Sequence, residues 1–122
     1  MAFDKKIQKH ILSKSTFLKG CQCAKSLYLH KFNPELSGEI SESQQSIFDK
    51  GQEVGLLARQ LFPGGVYVTA ENKFDSSNSI LTTKKLLADG TQVIYEPAFQ
   101  FEQVLSIADI LMRENGKWKM YE

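Results

Sequence analysis

Two acidic residues near the end of the chain have the spacing to do chemistry. Asp109 lies in SIADILM and Glu122 closes KWKMYE, thirteen residues on, with RENG between the two segments. If those segments pair as a hairpin, the two carboxylates can converge on one hard cation such as Mg²⁺. Asp109 sits inside an apolar stretch, where an unpaired carboxylate is costly to bury. It therefore calls for a metal ion or for a salt bridge to a neighbouring Lys or Arg. Glu122 has a plainer alternative as a polar chain end.

The elements that must position these residues can be read from periodicity and stop signals. Strand patterns cover 92–101, 104–113 and 117–122, with Asn115-Gly116 as the tight turn between the last two. The residues before them are helical in pattern. Ser13 or Ser15 caps a helix expected over 14–32, and Asn33-Pro34 ends it. Its apolar face is Phe17, Leu18, Cys21, Tyr28 and Leu29, with lysines around it. The polar stretch PELSGEISES then reads as a loop. A second helix over 44–62 carries the stripe Ile47, Phe48, Gly51, Val54, Gly55, Ala58, Leu61 and Phe62, and Pro63-Gly64-Gly65 stops it. Two glycines on an apolar face disfavour the helix by about 1 kcal/mol each relative to Ala. Close approach of a strand or of a nucleic-acid backbone is the expected reason, with tight helix–sheet packing favoured. Val66-Tyr67-Val68-Thr69 is a short strand, and a third helix over 79–88 stops at Asp89-Gly90. The expected fold class is α+β: N-terminal helices followed by an antiparallel three-strand meander.

Composition sets the frame. The chain has 122 residues and a net charge of +1, with apolar and charged fractions of an ordinary globular protein. No apolar run approaches the roughly 20 residues of a membrane helix, and the N-terminus has no secretory apolar core. A cytoplasmic location is expected, with no membrane partner. The charge is uneven: residues 1–31 hold seven lysines against Asp4 alone, and the remainder is acidic. Lys14, Lys19 and Lys25 could follow a nucleic-acid backbone without reading sequence, or form a solvated helix face. Cys21 and Cys23 form a C-X-C with no further cysteine to complete a metal site. His10 and His30 read as surface residues.

The ordered segments LSKSTFLKGCQCAKSLYLHK, FDKGQEVGLLARQLFPGG, VIYEPAF, SIADIL and KWKMYE together resemble the N-terminal part of a RecB-like nuclease. That group belongs to the PD-(D/E)XK superfamily, and the chain is similar there to uncharacterised bacterial proteins related to the CRISPR-associated RecB-type exonucleases. The resemblance implies a partial restriction-endonuclease-like core, with a basic helical arm and loop at 1–42 and the helix–helix–meander portion at 43–122, truncated at its C-terminus. It implies phosphodiester hydrolysis of DNA with Mg²⁺ or Mn²⁺, by a longer parent protein. Asp109 matches the motif Asp and Glu122 the acidic residue of Glu-X-Lys. The Lys is missing, so the fragment itself is expected to be inactive and to need the remainder of its own chain. Glu96 stands where relatives carry a Glu beside the site, either to help hold the metal or to orient a basic residue. Alternation from Val93 and Tyr95 would instead turn it to the other face unless Pro97 breaks the strand. Gln52 stands where many relatives have a metal-binding His, and an amide oxygen is a poorer ligand for a transition metal. Cys23 corresponds to a first iron–sulfur ligand, with Ala24 where Pro is usual. A cluster needs four thiolates and so belongs only to the parent. The alternative function is a non-catalytic nuclease-like module that binds nucleic acid or a protein partner.

Overall fold

The computed structural model describes residues 11–68 and 76–122. Within it, residues 11–36 with 100–106 cluster as one unit, and the described residues of 37–99 with 107–122 as another. The class is α+β: the described residues form four helices and a mixed four-stranded sheet, with a separate two-stranded hairpin.

In the first unit, the single helix expected over 14–32 is two helices. α1 (Lys14–Gln22) and α2 (Ala24–Phe32) meet at Cys23, whose extended backbone (φ −162°, ψ 113°) caps the end of one and the start of the other. Ser13 begins α1 through a capping box with Thr16, the Ser13 amide donating to Thr16 Oγ1 at 2.9 Å. Leu27 of α2 reaches Gly20 of α1, where a Cβ would lie 2.9 Å from Leu27 Cδ2. This break also splits the apolar face expected of one long helix, and Phe17, Leu18 and Tyr28 remain exposed. A short 3-10 turn, Pro34–Leu36, follows. Leu12 bridges to the tip of the hairpin, its amide donating to the Gln103 carbonyl at 2.7 Å and its carbonyl accepting from Leu105 N–H at 2.9 Å.

The second unit holds the sheet. α3 (Glu42–Leu61) starts from a Ser41/Gln44 capping box, and α4 (Ser77–Ala88) precedes the meander. Gly90, at φ 78°, ends α4: its N–H donates to the Leu87 carbonyl and Thr91 N–H to that of Leu86, the Schellman pattern. The sheet order is β1 (Val66–Tyr67), β2 (Val93–Tyr95), β5 (Ile110–Glu114), β6 (Lys117–Tyr121). β1 runs parallel to β2, and the β2–β5–β6 pairs are antiparallel. The β5–β6 turn is the expected Asn115-Gly116, with φ 52° and 75°.

Two strands expected to be continuous are interrupted. The segment over 92–101 breaks at Glu96-Pro97 into β2 and β3 (Ala98–Phe101), and the segment over 104–113 breaks at Ala108-Asp109 into β4 (Val104–Ile107) and β5. Pro97 has no N–H for the ladder, and Glu96 is left-handed with φ 54°. The breaks face each other and remain bonded: Glu96 N–H donates to the Asp109 carbonyl at 2.9 Å, and Ala108 N–H to that of Pro97 at 3.2 Å.

Strand alternation gives the sheet two faces. Ile94 and Leu111 join Val68 in a core packed by Leu86 and Leu87 of α4 and by Phe99. Thr83, fully buried in α4, donates to the Ser79 carbonyl at 2.8 Å and accepts from Ala98 N–H at 2.9 Å, tying helix to hairpin. On the other face, the Tyr95 hydroxyl donates to the Phe62 carbonyl and accepts from Gly65 N–H at 3.1 Å. The Phe62 ring also packs on Tyr121, centroids 4.5 Å apart. The last turn of α3 is thereby fixed to the sheet. Farther up α3, the expected stripe is not buried: Ile47, Phe48, Val54 and Leu61 are exposed. Gly51 and Gly55 have open space where a Cβ would stand, so close approach of a sheet is not what these glycines serve. No helix among the described residues is long and apolar enough to cross a membrane.

Candidate active site

The site is built from the broken end of the meander outward. Tyr95 pairs with Ile110, and Ile110 with Tyr121. Just beyond these pairs the Glu96 amide donates to the Asp109 carbonyl at 2.9 Å, and Glu122 follows Tyr121, the last residue of β6. All three acids line one cleft in the second unit, of about 1060 Å³, whose wall is α3 with Gln52 and Arg59. Asp109 occupies a bend just before β5 and is exposed, as are Glu122 and Gln52.

Glu96 is the residue whose backbone departs most from its strand. A left-handed conformation disfavours a residue with a Cβ by about 1–2 kcal/mol. It also breaks the alternation that would have turned Glu96 toward the α4 side. Its carboxylate instead meets residues of the α3 side: Oε1 accepts from Arg59 Nη2 at 2.8 Å and Oε2 from the Tyr67 hydroxyl at 3.1 Å. The Arg59 guanidinium lies 4.4 Å from the Tyr67 ring centre and 5.6 Å from that of Tyr95, within cation–π range. Of the two roles open to Glu96 in the sequence, orienting a basic residue describes its contacts. Arg59 was not visible as a site residue. Its partner lies 37 positions away, and its only local signal is a cation in the last turn of a helix, a common dipole-compensating position.

The donor set can be tested against a metal. Among the described residues, no group of three or more His, Cys, Asp or Glu side chains is assembled for a metal ion. Both Glu96 oxygens already accept hydrogen bonds; Asp109 and Glu122 are the other two carboxylates that line the cleft. Mg²⁺ is commonly held by one or two carboxylates, completing its shell with water and substrate phosphate. This pair fits that pattern, with the Gln52 amide on the same cleft. It does not fit a site that depends on imidazole or thiolate.

The remaining expected residues belong to the other unit or lie outside the described residues. Lys14, Lys19 and Lys25 belong to α1 and α2 of the other unit. Lys5, Lys6 and Lys9 lie outside the described residues. Cys21 and Cys23 are free thiols, both exposed.

Comparisons with protein-family models, with curated proteins and with solved structures found no match to this chain.

Proposed function

We propose that this chain belongs to a RecB-like, metal-dependent DNA nuclease that hydrolyses phosphodiester bonds. The observation that carries the reading is that Asp109 and Glu122, which flank the paired residues Ile110 and Tyr121, line one cleft. Asp109 and Glu122 would hold Mg²⁺ or Mn²⁺. Bound there, such an ion supplies a Lewis acid for a phosphoryl oxygen and lowers the pKa of a coordinated water. The chain's own groups hold the ligands in place. The Glu96–Asp109 backbone bond fixes the bend from which Asp109 projects, and Tyr95 anchors α3 as the opposing wall. The Glu96–Arg59 ion pair keeps one positive side chain beside the carboxylates, reducing their mutual repulsion. Lys14, Lys19 and Lys25 would follow the DNA backbone. An iron–sulfur cluster using Cys23 would belong to the parent only. A cytoplasmic location goes with this reading.

In this account the reaction also uses a lysine of the Glu-X-Lys pattern, which orients the attacking water. Losing one positioned acid–base group lowers a rate by about 10²–10⁴-fold, so the 122-residue chain should not cleave DNA usefully. The test compares the chain, its full-length parent and the parent's Asp109→Ala variant on linear DNA with Mg²⁺ or Mn²⁺. Cleavage by the parent alone is the expected result. A parent that cuts no substrate with either metal would overturn it.

A second reading, a nuclease-like module that binds nucleic acid or a protein partner without cutting, draws on Gln52 in place of imidazole. It predicts a parent that retains DNA without hydrolysing it.

A further inference from the structure

Arg59 has more hydrogen-bonding capacity than its known partner uses. A guanidinium carries five N–H donors in a rigid fork. Among the described residues, Arg59 makes a single side-chain hydrogen bond, from Nη2 to Glu96 Oε1 at 2.8 Å. The side chain is three-quarters buried, at 25% exposure, against Tyr67 and Tyr95, and it lines the same cleft as Asp109 and Glu122. A cation oriented on an aromatic face, tethered at one nitrogen and reachable at the others, is a pre-organised anion receptor. Arginine in this setting suits phosphate, which accepts two parallel N–H bonds.

We infer that Arg59 is a phosphate-binding residue: Glu96 and Tyr67 hold its guanidinium so that the remaining N–H groups meet a backbone phosphate of nucleic acid lying in the cleft. The inference rests on the proposed nuclease reading and adds to it the group that seats the phosphate next to the carboxylate pair. Glu96 is then a positioning residue. It holds Arg59 at one edge and its own charge offsets part of the attraction, so removing that charge while keeping the side-chain shape should strengthen phosphate binding.

The test measures binding of a short fluorescent DNA duplex to the chain at fixed Ca²⁺, across a range of NaCl concentrations. Wild type is compared with Arg59→Lys, Arg59→Gln and Glu96→Gln, and circular dichroism and thermal melting check folding. Arg59→Gln should weaken binding about tenfold and reduce the slope of log K against log salt by about 0.9, one phosphate contact. Arg59→Lys should keep the slope and lose only part of the affinity. Glu96→Gln should bind at least as tightly as wild type. If Arg59 serves only to neutralise Glu96, both Gln variants will melt earlier and neither will change the salt slope. That result overturns the inference and leaves the nuclease reading standing. If wild type itself binds no DNA at low salt, the nuclease reading fails, and the inference with it.

Discussion

The Glu96 amide donates to the Asp109 carbonyl at 2.9 Å, at the point where both long segments of the meander bend. This one bond ties the residue that engages Arg59 to the proposed metal ligand on the neighbouring strand. Side-chain direction at 109 therefore depends on the backbone at 96. Replacing Glu96 by Gly would relieve the left-handed strain, yet it would remove the carboxylate that Arg59 and Tyr67 hold. Glu96→Gly should then leave stability close to wild type while freeing the Arg59 side chain. Melting temperature, together with the NMR signal of the Arg59 Nε–H, reads the two effects separately.

Thr83→Val keeps the side-chain shape and deletes the hydroxyl that accepts from Ala98 N–H. A buried amide left without an acceptor destabilises by about 1–3 kcal/mol. Urea unfolding should show a loss of that order, and a change within error would mean that Ala98 finds another acceptor.

Tyr95→Phe should loosen the end of α3. The Phe62 carbonyl and the Gly65 amide both lose their partner, for about 1–3 kcal/mol. Gly65→Ala should disturb the same contact from the other side, because a Cβ would come within 2.7 Å of Tyr95 Cε1. Hydrogen exchange at the last turn of α3 should quicken in both variants, ahead of any change in α4.

Glu114 and Lys119 pair across the exposed β5–β6 hairpin, and the carboxylate raises the Lys119 pKa. A raised folded-state value means the contribution is complete below the unfolded lysine pKa, roughly 10.4, and is lost as pH rises through the folded value. Stability of wild type and Glu114→Gln should therefore converge at strongly alkaline pH. Because the pair is exposed, salt should shrink the difference at neutral pH as well.

Where local chemistry decides the conformation, the sequence was readable. Ser41 and Gln44 start α3, Gly90 closes α4, and Asn115-Gly116 turns the last hairpin. That turn also sets the β5–β6 register, and Asp109 and Glu122 lie just beyond its last pair, Ile110 with Tyr121. Cys23 gave no warning of the break between α1 and α2, since neither a Gly nor a Pro stands there. The contact between the two helices, Leu27 against Gly20, is not legible from helical periodicity. The interruption at Glu96 was signalled only by Pro97, and a left-handed Glu has no sequence signature of its own. Nor does periodicity reveal that α3 is held mainly at its last turn. Its stripe has the form of a buried face, yet it lines an open cleft.

The central claim is that Asp109 and Glu122 act together as ligands of one divalent ion. Titration of the chain with Mn²⁺, followed by electron paramagnetic resonance of the free ion, measures this without requiring catalysis. Wild type should bind one Mn²⁺ that Mg²⁺ displaces. Asp109→Asn and Glu122→Gln should each weaken it by about tenfold or more, the loss of one charged ligand. The double variant should be little worse than either single one, as expected for two groups that hold the same ion. Binding that survives both substitutions, or that is absent in wild type, would contradict the account.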